Sequence, residues 1–168
     1  MTAALSQPDL FVGFILADIA PVPYSDSHVV LVELMRALNI ASYTRWSEAD
    51  ADLAKSIDDV NLRRFLLHNI VFEDDGARWQ VNLDVIPRSM PDLMFFPFDP
   101  CSCQFTGPVT LIASQKSNFV LPEHHDAVRG FFPIADIQVI EGAGHWAHAQ
   151  KPEEFRQYVV AFLGALYP

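Results

Sequence analysis

Three short, largely apolar runs constrain this chain more than any other feature. They are Phe11-Val-Gly-Phe-Ile-Leu-Ala, ended by Asp18, then Pro108-Val-Thr-Leu-Ile-Ala-Ser114, and Ala135-Asp-Ile-Gln-Val-Ile140. A strand with one wet face alternates apolar and polar residues, whereas a strand buried on both faces reads as a continuous apolar run and belongs to a parallel sheet. Helical sequence joins them. Pro122 to Phe132 begins with proline and an acid, and Lys151 to Tyr167 opens with Pro152-Glu-Glu and sets Phe155, Tyr158, Val159 and Phe162 on one stripe. Strand, helix, strand, helix is the α/β pattern.

The first and second runs are separated by a long stretch, Ser25 to Thr106, with no buried-strand run of its own but several amphipathic helical patterns. His28 to Ile40 is one. Ser47-Glu-Ala-Asp50 opens a second with a capping residue and an acid three positions on, and Val60 to Val71 groups Leu62, Phe65, Leu66 and Ile70. Such helices need a separate place to pack, so residues 25–106 are expected to form an inserted helical cap on a core made of residues 1–24 and 107–168. Phe95-Phe-Pro-Phe-Asp-Pro100 marks the return from cap to sheet.

Composition narrows the partners. Eleven basic against twenty-one acidic residues give a net charge of -10, which repels nucleic-acid backbones and anionic lipid surfaces. The apolar run ending at Asp18 is far shorter than the roughly 20 residues of a membrane-spanning helix, and Met1 to Asp9 does not read as a secretory signal. No membrane or nucleic-acid partner is expected, and a cytoplasmic setting, or an organelle matrix, is. Cys101 and Cys103 are spaced too closely for a mutual disulfide and too sparsely for zinc, and neither has the glycine-rich turn that activates a thiol. Glu123, His124, His125 and Asp126 are read as surface helix residues and not metal ligands, because adjacent histidines diverge on a helix.

The chemistry concentrates in Gly142-Ala-Gly-His145-Trp-Ala-His148, directly after the third run. Open α/β sheets carry their sites at the carboxyl ends of the strands, where glycines permit a tight turn. A histidine there serves as general base toward a hydroxyl and then as general acid, provided an acid fixes its tautomer. Asp18, ending its own strand at the same edge, is the candidate acid. His148 is expected to pack or bond locally.

Several segments carry a family likeness: Ala17-Asp-Ile-Ala-Pro21-Val-Pro-Tyr24, Phe65-Leu-Leu-His-Asn69, Trp79-Gln-Val-Asn82-Leu, Pro122-Glu-His-His125 and Gly142-Ala-Gly-His145-Trp-Ala-His148-Ala-Gln-Lys-Pro152. Together they resemble the α/β-hydrolase superfamily, and within it the branch of α/β-hydrolase domain-containing 11 and YbfF-type esterases, over nearly the whole chain. The resemblance implies an α/β fold that is a partial α/β-hydrolase: the last three parallel strands with flanking helices plus the inserted cap. It implies a carboxylesterase or thioesterase acting on a small-molecule acyl ester or thioester, with His145 in a Ser-His-Asp triad and no metal or organic cofactor.

Two departures from the family pattern matter. The fold needs a Gly-x-Ser-x-Gly elbow, and no serine here has those flanking glycines. The opening residues resemble the end of the helix that follows the elbow, so the chain is expected to be an inactive fragment whose serine lies upstream. Many relatives also carry the acid after the penultimate strand, where this chain reads Gln115-Lys-Ser-Asn118-Phe119. The resemblance then favours Asp18, since some hydrolases take the acid from the strand before the cap, with Asp84 as the alternative acid. Phe65, Leu66, Trp79, Phe119 and Trp146 are candidates for the acyl pocket, with core packing as their other reading. The alternative function is a non-catalytic ligand-binding or partner-completed protein. An N-terminal half or a homo-oligomer is the partner expected to cover the open apolar sheet edge.

Overall fold

In chain order the elements are α1 (Thr2–Ser6), β1 (Phe14–Ala17), α2 (His28–Ala37), α3 (Trp46–Leu53), α4 (Val60–Leu67), β2 (Ile70–Glu73), β3 (Gly76–Trp79), α5 (Ile86–Met94), β4 (Val109–Ser114), α6 (His125–Phe131), β5 (Asp136–Ile140), α7 (Ala147–Gln150) and α8 (Pro152–Leu166). The computed structural model describes residues 1–25, 28–74 and 76–167. They divide into two units, Met1–Pro23 with Phe96–Pro168, and Tyr24–Phe95. Residues 96–106, assigned above to the insertion, fall in the first unit, where Phe96, Phe98, Cys103 and Phe105 pack on its core.

The three apolar runs are the three strands of one parallel sheet in the order β1-β4-β5. Every residue of β4 is buried, and its side chains alternate between two cores. Val109, Leu111 and Ala113 join Leu16, the α1 residues Ala4 and Leu5, and Val128 and Phe131 of α6. Ile112 joins Ile140, Ala143 and Ala147, covered by Phe155, Tyr158 and Val159 of α8. Helices thus lie on both faces, as a doubly buried strand requires. β1 and β5 depart from their expected double burial: only Leu16 is buried in β1 and only Ile140 in β5, because among the described residues each pairs with β4 alone. β1 also starts later than its apolar run, after Gly13, where a Cβ would lie 2.8 Å from the Pro108 carbonyl. Only glycine admits that approach between strand starts.

The second unit is built on α2, α3 and α4, whose Val32, Met35, Ala49, Leu53, Leu66 and Leu67 share one core. It holds a feature absent from the sequence reading, the antiparallel hairpin β2–β3. Ile70, read as the end of a helical stripe, pairs with Trp79 in that hairpin. The buried stripe of α4 is also turned from the one expected. Phe65 is 59% exposed, whereas Arg63 is 8% exposed. Arg63 is drawn inward because its Nε bonds Asp50 at 2.8 Å and its Nη1 donates to the carbonyls of Ile57 and Asp58. Ser47 does not cap α3; the carboxylate of Glu48 accepts the Thr44 N–H at 2.8 Å instead, and Asp59 caps α4 by accepting from the amides of Asn61 and Leu62. No described helix is long and apolar enough to cross a membrane.

Two predictions follow from this unit, each read by urea denaturation with Trp46 and Trp79 as fluorescent reporters. Arg63→Ala strands a partly buried carboxylate and two carbonyls, and is expected to cost on the order of 3 kcal/mol. Tyr43, buried, donates its hydroxyl to Asp52 at 2.6 Å. Burial first, and then the Asp52 carboxylate, push its phenol from the ordinary 10.0 up to about 12. The folded chain therefore holds this proton to higher pH than the unfolded chain does. The contribution is complete below pH 10 and lost as pH rises through about 12. Tyr43→Phe is expected to flatten that alkaline loss, and an unchanged slope between pH 9 and 12 would refute the assignment.

Candidate active site

β1 runs directly into Asp18. The Asp18 amide donates to the Ile112 carbonyl at 2.8 Å, one rung beyond the strand, and a left-handed backbone (φ 51°) then turns the chain off the sheet. Aspartate adopts that conformation at a lower cost than most side chains. The turn leaves its carboxylate only 4% exposed, a position that is costly unless both oxygens are bonded. Oδ1 accepts the Ser114 N–H at 2.8 Å, and Oδ2 lies 2.8 Å from Nδ1 of His145.

His145 is delivered by the loop after β5. Gly142 takes φ 71°, a conformation that suits glycine. Two glutamines then hold the loop: Oε1 of Gln115 accepts the Gly142 N–H at 2.8 Å, and Oε1 of Gln150 accepts the Gly144 N–H at 2.7 Å. The Lys116 N–H adds a bond to the Ala143 carbonyl at 2.8 Å. The imidazole is 43% exposed and stacks on Phe119, with centroids 4.0 Å apart and planes inclined by 28°. With a carboxylate accepting at Nδ1, the neutral ring carries its proton there and leaves the Nε2 lone pair to take another. An imidazole held in this way can act as a general base, with the carboxylate fixing its tautomer.

The other candidates are distributed between the units. Asp84 belongs to the second unit, where it is 72% exposed and 3.1 Å from Arg36. Leu66 lies inside that unit's core, Trp79 packs half-buried against it, and Phe65 is exposed. Trp79, Arg36 and Asp84 line an open depression of about 530 Å³ within the second unit. Trp146, next to His145, is half-buried and precedes α7, and His148 meets the edge of Phe155. Nδ1 of His124 is 3.2 Å from the Phe119 carbonyl. Among the described residues no cluster of three His, Cys, Asp or Glu side chains suits a metal ion; Cys101 and Cys103 are free thiols, with Cys103 Sγ donating to the Asp99 carbonyl at 3.8 Å. The glutamines were not identified from sequence, since a loop-pinning amide has no spacing that marks it.

Stability reports the Asp18 corner without any need for turnover. Asp18→Ala leaves the buried Ser114 N–H without its acceptor in a backbone conformation that alanine resists, an expected loss of about 1–3 kcal/mol. Asp18→Asn tolerates the same φ and keeps an oxygen toward Ser114, so its loss is expected to stay below about 1 kcal/mol. Equal unfolding midpoints for the two variants would refute this account.

Residues 1–158 match the model of the Alpha/beta hydrolase family. The chain is 33% identical over 171 residues to sn-1-specific diacylglycerol lipase ABHD11 of Mus musculus, covering 97% of this chain and 54% of that protein. It is 28% identical over 147 residues to Esterase YbfF of Escherichia coli (strain K12), covering 87% of this chain and 55% of that protein. A solved structure, "Marine microorganism esterase", matches with a TM-score of 0.86 and 28% identity over 95% of this chain and 63% of that one. The chain spans about half the length of the curated relatives it matches. With most of its length matched by that family model, the chain belongs to the alpha/beta hydrolase family.

Proposed function

We propose that the protein is a carboxylic ester or thioester hydrolase working through a serine, His145 and Asp18. The observation that carries this reading is the 2.8 Å contact between Nδ1 of the exposed His145 and the buried carboxylate of Asp18. The names of the two relatives, a diacylglycerol lipase and an esterase, support ester chemistry. None of the serines has a glycine two positions before and after it, so the nucleophile and its oxyanion donors are assigned to residues outside these 168.

In this mechanism the serine oxygen bonds to the acyl carbon as Nε2 of His145 takes the hydroxyl proton. Nε2 then returns that proton to the departing alkoxide or thiolate, and water repeats the cycle on the acyl-enzyme. Asp18 stays ionised throughout, holding Nδ1–H and balancing the imidazolium. The reaction draws on no metal or organic cofactor. The same reading has the rest of the hydrolase, or a second copy of this chain, pair along the unpartnered side of β1.

Hydrolysis of short p-nitrophenyl esters tests it, with the chain alone beside a longer form of the protein carrying a Gly-x-Ser-x-Gly elbow. Turnover is expected only in the longer form, falling about 10⁴-fold or more in His145→Ala and by about 10⁴-fold in Asp18→Asn. Equal turnover by the chain alone would put the nucleophile within these residues. Ester binding without turnover in either form would favour the non-catalytic alternative.

A further inference from the structure

A single hydrogen bond does not aim an imidazole. With Nδ1 on Asp18, the ring of His145 can still tilt about the Nδ1···Oδ2 line, which carries Nε2 through an arc, and turning about its Cβ–Cγ bond lifts Nδ1 off the carboxylate. A second constraint is needed, and the turn after β4 supplies it as a flat aromatic surface. The Phe119 ring lies against one face of the imidazole at 4.0 Å and 28°, a separation and tilt at which rotation of either ring brings them into collision.

The stacking ring is itself anchored. The Phe119 N–H donates to Oγ of the buried Ser117 at 3.2 Å. Its carbonyl is 3.2 Å from Nδ1 of His124, the nitrogen that also lies 3.3 Å from the Leu121 N–H. The next residue, Val120, is buried in the first unit's core. The backbone is therefore held on both sides of Phe119, by its own N–H on Ser117 and by the buried Val120.

We infer that Phe119 is a positioning residue for His145, fixing the imidazole plane that keeps Nδ1 on Asp18 and Nε2 available to the reacting hydroxyl, and not a wall of the acyl pocket. Its catalytic consequence rests on the hydrolase reading above; its geometric content does not. The π face also attracts the positive charge the imidazole gains on taking a proton. Leucine supplies bulk without a flat face, whereas tyrosine preserves the face.

NMR of the histidine rings in the 168-residue chain separates these contributions, with His145→Gln assigning the signal. In the unchanged chain the carbon-bound protons of His145 are expected to be shielded by the Phe119 ring current. Phe119→Leu is expected to abolish that shielding and to broaden the Nδ1 proton held on Asp18, and Phe119→Tyr to retain both. His145 signals unmoved in Phe119→Leu would overturn the inference. In a form that hydrolyses p-nitrophenyl esters, Phe119→Leu is expected to lower kcat roughly 10- to 100-fold at unchanged KM, with Phe119→Tyr restoring it. A raised KM at unchanged kcat would make Phe119 a pocket wall and overturn the inference as well. If no form hydrolyses esters, the hydrolase reading fails, and the ring shifts still decide whether Phe119 orients His145.

Discussion

β4 has no wet face, and most of the first unit follows from that. Its alternate side chains need two separate apolar surfaces, and helices that cover both sides of a sheet connect its strands in parallel. Parallel strands end at a common edge, so Asp18 after β1, the Gln115 turn after β4 and the His145 loop after β5 gather there. The Asp18 carboxylate joins two of them, because its oxygens bond the last amide of β4 and the imidazole beyond β5. What sets the histidine is therefore the hydrogen-bond register of the sheet, carried one residue past β1 to Asp18.

The Asp18 corner also illustrates how strain and burial support one another. A left-handed aspartate and a carboxylate withdrawn from water are each unfavourable alone. Together they are held by a strand rung to Ile112, the Ser114 amide and the imidazole. An exposed carboxylate would reach the same histidine only at the expense of rotamer entropy and competition from water.

The parts legible in the sequence were those in which burial writes a one-dimensional pattern. The doubly buried β4 gave an unbroken apolar run, the last helix kept its stripe of Phe155, Tyr158 and Val159, and Gly142 announced a turn before a histidine. The hairpin of the second unit was hidden because Ile70 and Val71 continue the apolar pattern of α4 and because β2 buries none of its residues fully. The stripe on α4 differs from the apolar spacing because Asp50 and the carbonyls of Ile57 and Asp58, all outside the helix, draw Arg63 inward. Phe119 is expected from sequence in the acyl pocket, whereas its ring stacks on His145, which follows the neighbouring strand at a distance in sequence where no local spacing reveals it.

The loop that carries His145 is fastened by amide groups without a formal charge, Gln115 and Gln150 on its glycines and the Lys116 amide on Ala143. Hydrogen bonds between neutral groups neither titrate near neutrality nor weaken through ionic screening as surface ion pairs do. These backbone fastenings, as distinct from the Asp18–His145 contact, are consequently uncoupled from the proton and salt concentrations around them. What such a loop still responds to is the activity of water, the one competitor able to replace a glutamine oxygen at a glycine amide.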